Sequence, residues 1–454
     1  MKSFIDEARI KNILSKAYSR EEIVKIVDKA KKLEGLSLNE VGALLLCEDK
    51  DLIQEMFNTA KEVKEAIYGK RLVLFAPLYL SNICVNDCKY CGFATSNSNL
   101  ERRRLGFEEI KKEIDALEKQ GHKRVLIVAG EDPKVDLGYL KKAIDTIYNT
   151  KSHGEIRRIN INVAPMNVDS FRELSTFGIG TYQSFQETYH KETYEKVHQG
   201  PKLNFTEKLY VMDRAMQGGI NDVGIGVLFG LYDYKFEVLA LLMHTLHLEK
   251  EFGVGPHTIS VPRIENVHGN EFVKKLKYEV QDEEFKKIVA ILRLAVPYTG
   301  ILLSTREDVK LRDELFKLGV SQISAGSKTT PGAYTSQDDA GQFCLGDNRT
   351  SLEVIKSISK QGYYPSFCTA CYRLGRTGKD FMDLAKPGLI QKYCLANAIL
   401  TYKEYIMDYG DYEIVKIGED LIQKELKDIK DESFRHEVIA KLKKIEKGER
   451  DLYF

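Results

Sequence analysis

Apolar and polar positions change rhythm twice along this 454-residue chain. Up to about residue 70 apolar residues recur every three or four positions, the period of helices with one buried stripe. One helix start is explicit: Ser37-Leu38-Asn39-Glu40 forms a capping box, with Leu36 and Val41 placed to staple the entry. Residues 1–70 are therefore expected to form an N-terminal helical collar. From residue 71 short β-rich runs alternate with charged amphipathic stretches, the pattern of repeated βα units. Eight strands are predicted, at 72–78, 124–129, 156–164, 181–187, 222–229, 256–263, 299–305 and 321–326. They suit an α/β fold with a closed (βα)8 barrel of the TIM type over 71–335, whose chemistry lies at the strands' C-terminal ends. An open doubly wound sheet is the alternative. Beyond residue 335 this rhythm stops, and Asp338-Asp339-Ala340-Gly341 leads into a mainly helical extension, residues 336–454. Its last sixty residues, rich in Lys and Glu, read as solvated helices.

Composition narrows the function more than the fold. Lys plus Arg (68) against Asp plus Glu (67) leaves a net charge of +1, so no long-range field steers the chain onto nucleic acid or an anionic membrane. Met1-Lys2-Ser3-Phe4-Ile5-Asp6-Glu7 carries acids where a signal peptide needs an apolar run, and no stretch has the length of a membrane span. Neither nucleic acid nor membrane is expected as a partner, and the cytoplasm is the expected compartment. In that reducing setting the eight cysteines are not expected to pair, and six of them fall into two tight groups, which favours metal ligation. Cys47, in the run Ala43-Leu44-Leu45-Leu46, reads as a small buried hydrophobe, and Cys344 as a buried thiol outside both groups.

Cys84-Val85-Asn86-Asp87-Cys88-Lys89-Tyr90-Cys91 follows the first predicted strand directly. Three thiolates on a four-iron cube leave one iron open for a substrate's amine and carboxylate, whereas structural zinc wants four ligands. This CxxxCxxC spacing, with Tyr90 before the third cysteine and Gly92-Phe93 after it, resembles the signature of the radical S-adenosylmethionine (SAM) superfamily. The resemblance implies a [4Fe-4S] cluster on Cys84, Cys88 and Cys91 with SAM on its open iron, and Tyr90 beside the cofactor. Ala129-Gly130-Glu131 is similar to the superfamily's Gly-Gly-Glu element, which receives the SAM amino group, with Ala in place of the first Gly. Gly224-Ile225-Gly226-Val227 resembles the segment that packs the adenine. Ordinary turn chemistry and a Gly-relaxed strand are the plain alternatives.

Cys368-Thr369-Ala370-Cys371 is followed by Cys394 after twenty-two residues. Three more thiolates point to a second cluster with an open iron, and zinc completed by a distant His is the alternative. With its context up to Gly378, and with the stretches 180–190, 222–233 and 253–263, the chain resembles the HydG family of [FeFe]-hydrogenase maturases, radical SAM tyrosine lyases, over about residues 70–410. The resemblance implies that an electron from a donor such as a ferredoxin or flavodoxin cleaves SAM to methionine and a 5′-deoxyadenosyl radical. That radical takes hydrogen from L-tyrosine, the Cα–Cβ bond breaks, and p-cresol leaves. The dehydroglycine fragment becomes carbon monoxide and cyanide at an extra iron on the second cluster, for delivery to other hydrogenase maturation proteins.

Further site residues follow from their places on the predicted strands. Arg306, beyond the seventh strand, is the candidate clamp for the tyrosine carboxylate, with Ser324 and Ser327 assisting; a surface Arg facing Glu307 and Asp308 is the alternative. Asn160 and Asn162 share one face of the third strand, and Gln186 and Glu187 end the fourth, as candidates for SAM. His257 starts the sixth strand and so faces the opposite mouth, where the extension would bring Cys368, Cys371 and Cys394 to it; the resemblance implies a histidine ligand for the extra iron beside the second cluster, and His257 is the candidate, with His268 as rival. Use of both mouths requires the fragment to cross the barrel interior. A thiazole-type tyrosine lyase that releases dehydroglycine, and a non-catalytic iron-sulfur scaffold, are the competing functions.

Overall fold

The computed structural model describes residues 3–265, 267, 271–336 and 341–454; His268 and the Asp338–Ala340 stretch lie outside the described residues. Four helices come first: α1 (Glu7–Leu14), α2 (Arg20–Ala30), α3 (Leu38–Leu46) and α4 (Lys50–Tyr68). The box that starts α3 closes as its sequence dictates. The Ser37 hydroxyl accepts from the Glu40 N–H and the Glu40 carboxylate from the Ser37 N–H, while Leu36 and Val41 are buried.

Eight strands follow: β1 (Arg71–Ser81), β2 (Arg124–Ala129), β3 (Arg158–Asn162), β4 (Tyr182–Gln183), β5 (Val223–Gly226), β6 (Thr258–Ser260), β7 (Gly300–Leu303) and β8 (Gln322–Ser324). Each pairs in parallel with the next, and β1 pairs with both β2 and β8, which closes the barrel and excludes the open sheet. Strand β1 is apolar on both faces because both are covered. Leu72, Leu74 and Ala76 join the outer core under the helices, and Phe75 and Tyr79 form part of a separate inner cluster.

The C-terminal extension departs from expectation in two ways. A ninth strand, β9 (Tyr364–Ser366), pairs with Arg71–Val73, the length of β1 that lies before its pairing with β2 begins at Ala76. Three residues around Pro365 show no alternation, so the pattern hides this strand. The last sixty residues are also not uniformly solvated. Helix Gln391–Tyr409 is buried at Cys394, Ala396, Ile399, Tyr402 and Ile406, and packs on β9 and on helices Tyr412–Asp428 and Glu432–Glu446. Its charges misled: Glu404 is buried against the Arg157 guanidinium at 2.5 and 3.1 Å, so charge there marks an internal pair and not a wet face. No described helix is long and apolar enough to cross a membrane.

Candidate active site: two cysteine-lined cavities

At the C-terminal mouth of the barrel a cavity of about 190 Å³ is lined by Cys84, Cys88 and Cys91. The loop that carries them has little periodic structure, and contacts from elsewhere hold its backbone. The N–H of Val85 donates to Glu131 O (3.1 Å), that of Lys89 to Val197 O (3.0 Å) and that of Gly92 to Gln342 O (3.0 Å). The Arg102 guanidinium donates to the carbonyls of Asn82, Phe93 and Ala94. Gly130 is required by contact, because a Cβ there would lie 2.3 Å from Ile83 O. Tyr90 is buried, with its hydroxyl 2.7 Å from His198 Nε2.

These thiols fit a cluster. Burial pushes the Cys88 thiol up to about 12 and raises Cys91, so both stay protonated until positive charge arrives. Among the described residues no three His, Cys, Asp or Glu side chains gather as a single ion requires, while a cube presents separate iron corners.

Ala129, Gly130, Glu131, Asn162 and Glu187 line the same cavity, as do Tyr90, Arg306, Ser324 and Ser327. Glu187 sits at a φ of 69° and pairs with Lys202 at 3.0 Å. Arg306 does not face Glu307 and Asp308. Its guanidinium lies 3.5 Å from the centre of the Phe343 ring, Glu307 pairs with Arg263, and Asp308 caps the helix Val309–Leu318. The Ser327 hydroxyl is buried without a protein partner.

Five expected residues are not on the cavity lining. Asn160 Oδ1 accepts from the Thr181 N–H at 3.0 Å, and Gln186 is buried with both amide atoms unpartnered. At Gly224 and Gly226 neighbouring side chains leave no room for a Cβ, and Ile225 is buried in the outer core. A Cβ on Gly224 would meet Thr258 Oγ1 at 2.4 Å and one on Gly226 would meet Phe185 Cδ1 at 2.7 Å. Sequence reasoning missed Lys202, Lys208, Gln183 and Gln342, which do line the cavity. Lys208 donates to the Ser184 hydroxyl, and burial lowers its pKa to about 8. Ordinary charged and amide residues carry no motif that would reveal them.

At the opposite mouth a smaller cavity, about 50 Å³, is lined by Cys368, Cys371, Cys394 and His257. Cys368 follows β9, Cys371 lies in helix Ala370–Arg373 and Cys394 in helix Gln391–Tyr409, so three elements converge. Arg71 and Arg124 line it too, and sequence reasoning missed both. Arg124 donates to Cys368 O at 2.7 Å, and the Nε of each guanidinium is buried without a partner. Two such cations beside three thiols suit an anionic iron-sulfur group. Burial lowers the His257 pKa, which keeps the imidazole neutral and able to ligate. Cys344 lines neither cavity. Cys47 is buried in the collar, as its apolar run predicts.

The cavities stand back to back. Val73, Arg124, Gly300 and Gln322 line the lower one; Phe75, Leu126, Leu302 and Ser324, two residues further along the same four strands, line the upper. One pleat repeat, roughly 6.6 Å, separates the two layers.

This closed parallel barrel, with a three-cysteine loop after its first strand, defines a radical SAM enzyme. The Radical SAM superfamily matches residues 78–243, and the Biotin and Thiamin Synthesis associated domain matches residues 260–364. The 2-iminoacetate synthase of Salmonella typhimurium is 31% identical over 75% of this chain and 89% of its own. A crystal structure of HydG, a maturase of the [FeFe]-hydrogenase, matches with a TM-score of 0.96 and 50% identity over 99% of this chain and all of that one. HydG from Carboxydothermus hydrogenoformans matches with a TM-score of 0.85 and 43% identity, covering 96% of this chain and 97% of that one. The chain belongs to the HydG family of radical SAM [FeFe]-hydrogenase maturases, a family whose radical SAM chemistry implies a [4Fe-4S] cluster and SAM.

Proposed function

We propose that this protein is a tyrosine lyase that cleaves the tyrosine Cα–Cβ bond to p-cresol and dehydroglycine, and converts the fragment to carbon monoxide and cyanide for [FeFe]-hydrogenase assembly. The observation that carries this reading is the pair of three-cysteine cavities placed back to back in one barrel. When bound, the first cluster and SAM supply the 5′-deoxyadenosyl radical.

The chain's own groups then have distinct tasks. Glu131, Asn162 and Glu187 offer acceptors for the SAM ammonium and ribose hydroxyls, next to Cys84, Cys88 and Cys91. Arg306 is the receptor for the tyrosine carboxylate, with Ser324, ending β8, and Ser327, in the loop after it, as hydroxyl partners. Phe75, Leu126, Val128 and Leu302 make the wall apolar and hold the phenol against the radical's reach without water. Dehydroglycine then crosses the single layer between the cavities. At the lower mouth Cys368, Cys371 and Cys394 hold a second cluster and His257 its extra iron, while Arg71 and Arg124 balance the negative charge. An electron donor such as a ferredoxin or flavodoxin, and the other hydrogenase maturation proteins, are the partners this chemistry needs, in the cytoplasm.

Likeness to a 2-iminoacetate synthase favours a second reading, a thiazole-type lyase that releases dehydroglycine intact. One anaerobic assay separates them: reconstitute the iron, add dithionite, SAM and tyrosine, and measure 5′-deoxyadenosine, p-cresol, cyanide and carbon monoxide. All four are expected. Deoxyadenosine and p-cresol without cyanide would support the second reading, and no deoxyadenosine would leave only a non-catalytic scaffold.

A further inference from the structure

Asp222 stands one residue before β5 and His257 one before β6, so two adjacent parallel strands present both at the lower mouth. The backbone of His257 is locked on both sides: its N–H donates to Val223 O at 2.8 Å and its carbonyl accepts from the Gly300 N–H at 2.9 Å. Its ring lines the cavity, and a ring that is to meet a metal at a defined angle needs a second anchor. The Asp222 carboxylate faces the ring, with Oδ1 at 3.5 Å from His257 Nδ1. Both residues carry an orphan: His257 Nδ1 and Asp222 Oδ2 are buried with no hydrogen-bond partner. A movement of about half an ångström by either side chain closes the gap to a hydrogen bond.

Asp222 is also tied to the cluster-bearing extension. Its Oδ1 accepts from the Gly378 N–H at 2.9 Å, and beside it Asn221 donates to the Thr377 hydroxyl at 3.2 Å. Gly378 has a φ of 53°, which a side chain rarely adopts, and it opens the helix whose Phe381 ring centre lies 4.8 Å from that of the imidazole. The same carboxylate thus touches the segment that follows Cys371 and faces the histidine across the cavity wall.

We infer that Asp222 is a positioning residue: it takes the Nδ1–H of His257, fixes the tautomer that leaves Nε2 to the extra iron, and registers that histidine against the domain that carries Cys371. The inference rests on His257 being the iron ligand. A carboxylate behind a metal-bound histidine also raises the basicity of the ligating nitrogen, so removing it weakens the metal rather than the fold.

The test uses the full-length reconstituted holoprotein grown with ¹⁵N-histidine. Pulsed EPR reads the ¹⁵N coupling at the second cluster, and chelator titration reads retention of the extra iron. Asp222→Asn keeps the shape and an acceptor for Gly378 but loses the charge; it is expected to hold the extra iron about 10- to 100-fold more weakly, with an altered ¹⁵N coupling. Asp222→Ala is expected to lose more, while p-cresol formation at the other mouth is unchanged in both. Wild-type coupling and iron retention in Asp222→Asn overturns the inference, and that variant decides the matter alone if the alanine variant does not fold. Absence of any ¹⁵N coupling in the wild type, with iron retained by His257→Ala, instead defeats the assignment of His257.

Discussion

The two mouths of the barrel each carry three cysteines, yet they are built on opposite principles. The upper three lie within eight residues of one loop, and the cavity they open on is large and ringed by groups that hydrogen-bond. The lower three come from the end of β9 and from two helices, and the cavity they close is less than half the size, with two guanidiniums on its lining. The upper site is a local motif that tertiary contacts only steady, through Arg102, Gly130 and Gln342. The lower site exists only when β9 adds to β1 and helix Gln391–Tyr409 docks on it. A motif in a loop leaves room for substrates, whereas a site assembled between elements fills with the elements that make it.

Experiments that separate the mouths put this contrast at risk. The largest effect is expected from Cys88→Ala, which should reduce deoxyadenosine, p-cresol, cyanide and carbon monoxide together to background in the anaerobic assay. Surviving p-cresol would show that the upper cysteines are not where the radical begins. Cys371→Ala should abolish cyanide and carbon monoxide while p-cresol persists, and parallel loss of p-cresol would mean that the mouths do not act separately. Gly300→Val probes the layer between them. A Cβ there lies 2.4 Å from Gln322 Nε2, so the branched side chain drives that amide across the interior. Cyanide is expected to fall on the order of tenfold relative to p-cresol, and equal loss of both would count against passage through the barrel.

The smallest effect distinguishes the buried cations of the two mouths. Burial lowers the pKa of Lys208, at the upper one, to about 8, below its value in the unfolded chain. Between those two values the folded apo-protein binds fewer protons than the unfolded one, so stability rises as pH increases from about 8 toward 10.4. The penalty is full below the folded pKa and amounts to something on the order of 3 kcal/mol. Lys208→Met should remove this rise in urea denaturation compared at pH 7.5 and 10. Arg71 and Arg124 at the lower mouth do not deprotonate over that range, so Arg71→Met should leave the slope as it is. A flat wild-type difference at Lys208 would show that its ammonium is compensated within the upper cavity.

Much of the upper mouth was legible because its signals are short-range. The spacing of Cys84, Cys88 and Cys91, and Gly130-Glu131 after the second strand, are properties of a few neighbouring residues. Where reasoning along the chain failed, longer-range contacts had decided. The glycines of β5 answer to such contacts: Gln183, Phe185 and Thr258, from the flanking β4 and β6 regions, leave no room there for a Cβ. Asn160 was read with Asn162 on one strand face, but its amide is taken by the backbone of Thr181. The charges of helix Gln391–Tyr409 were read as solvent exposure, when Arg157, some 250 residues earlier, buries Glu404 in a pair.

By itself the sequence determined the eight βα units, the helical collar and both cysteine spacings, because periodicity and motif spacing are written into local backbone geometry. Its strand order also placed His257 at the mouth opposite Cys84, since parallel strands all begin at one end. Only the tertiary structure decided that β9 seals the lower half of the β1 edge, that Arg71 and Arg124 face the second set of thiols, and that Asp222 stands behind His257. Those facts depend on which residues meet across closed strands and docked helices, and no spacing along one chain encodes such a meeting.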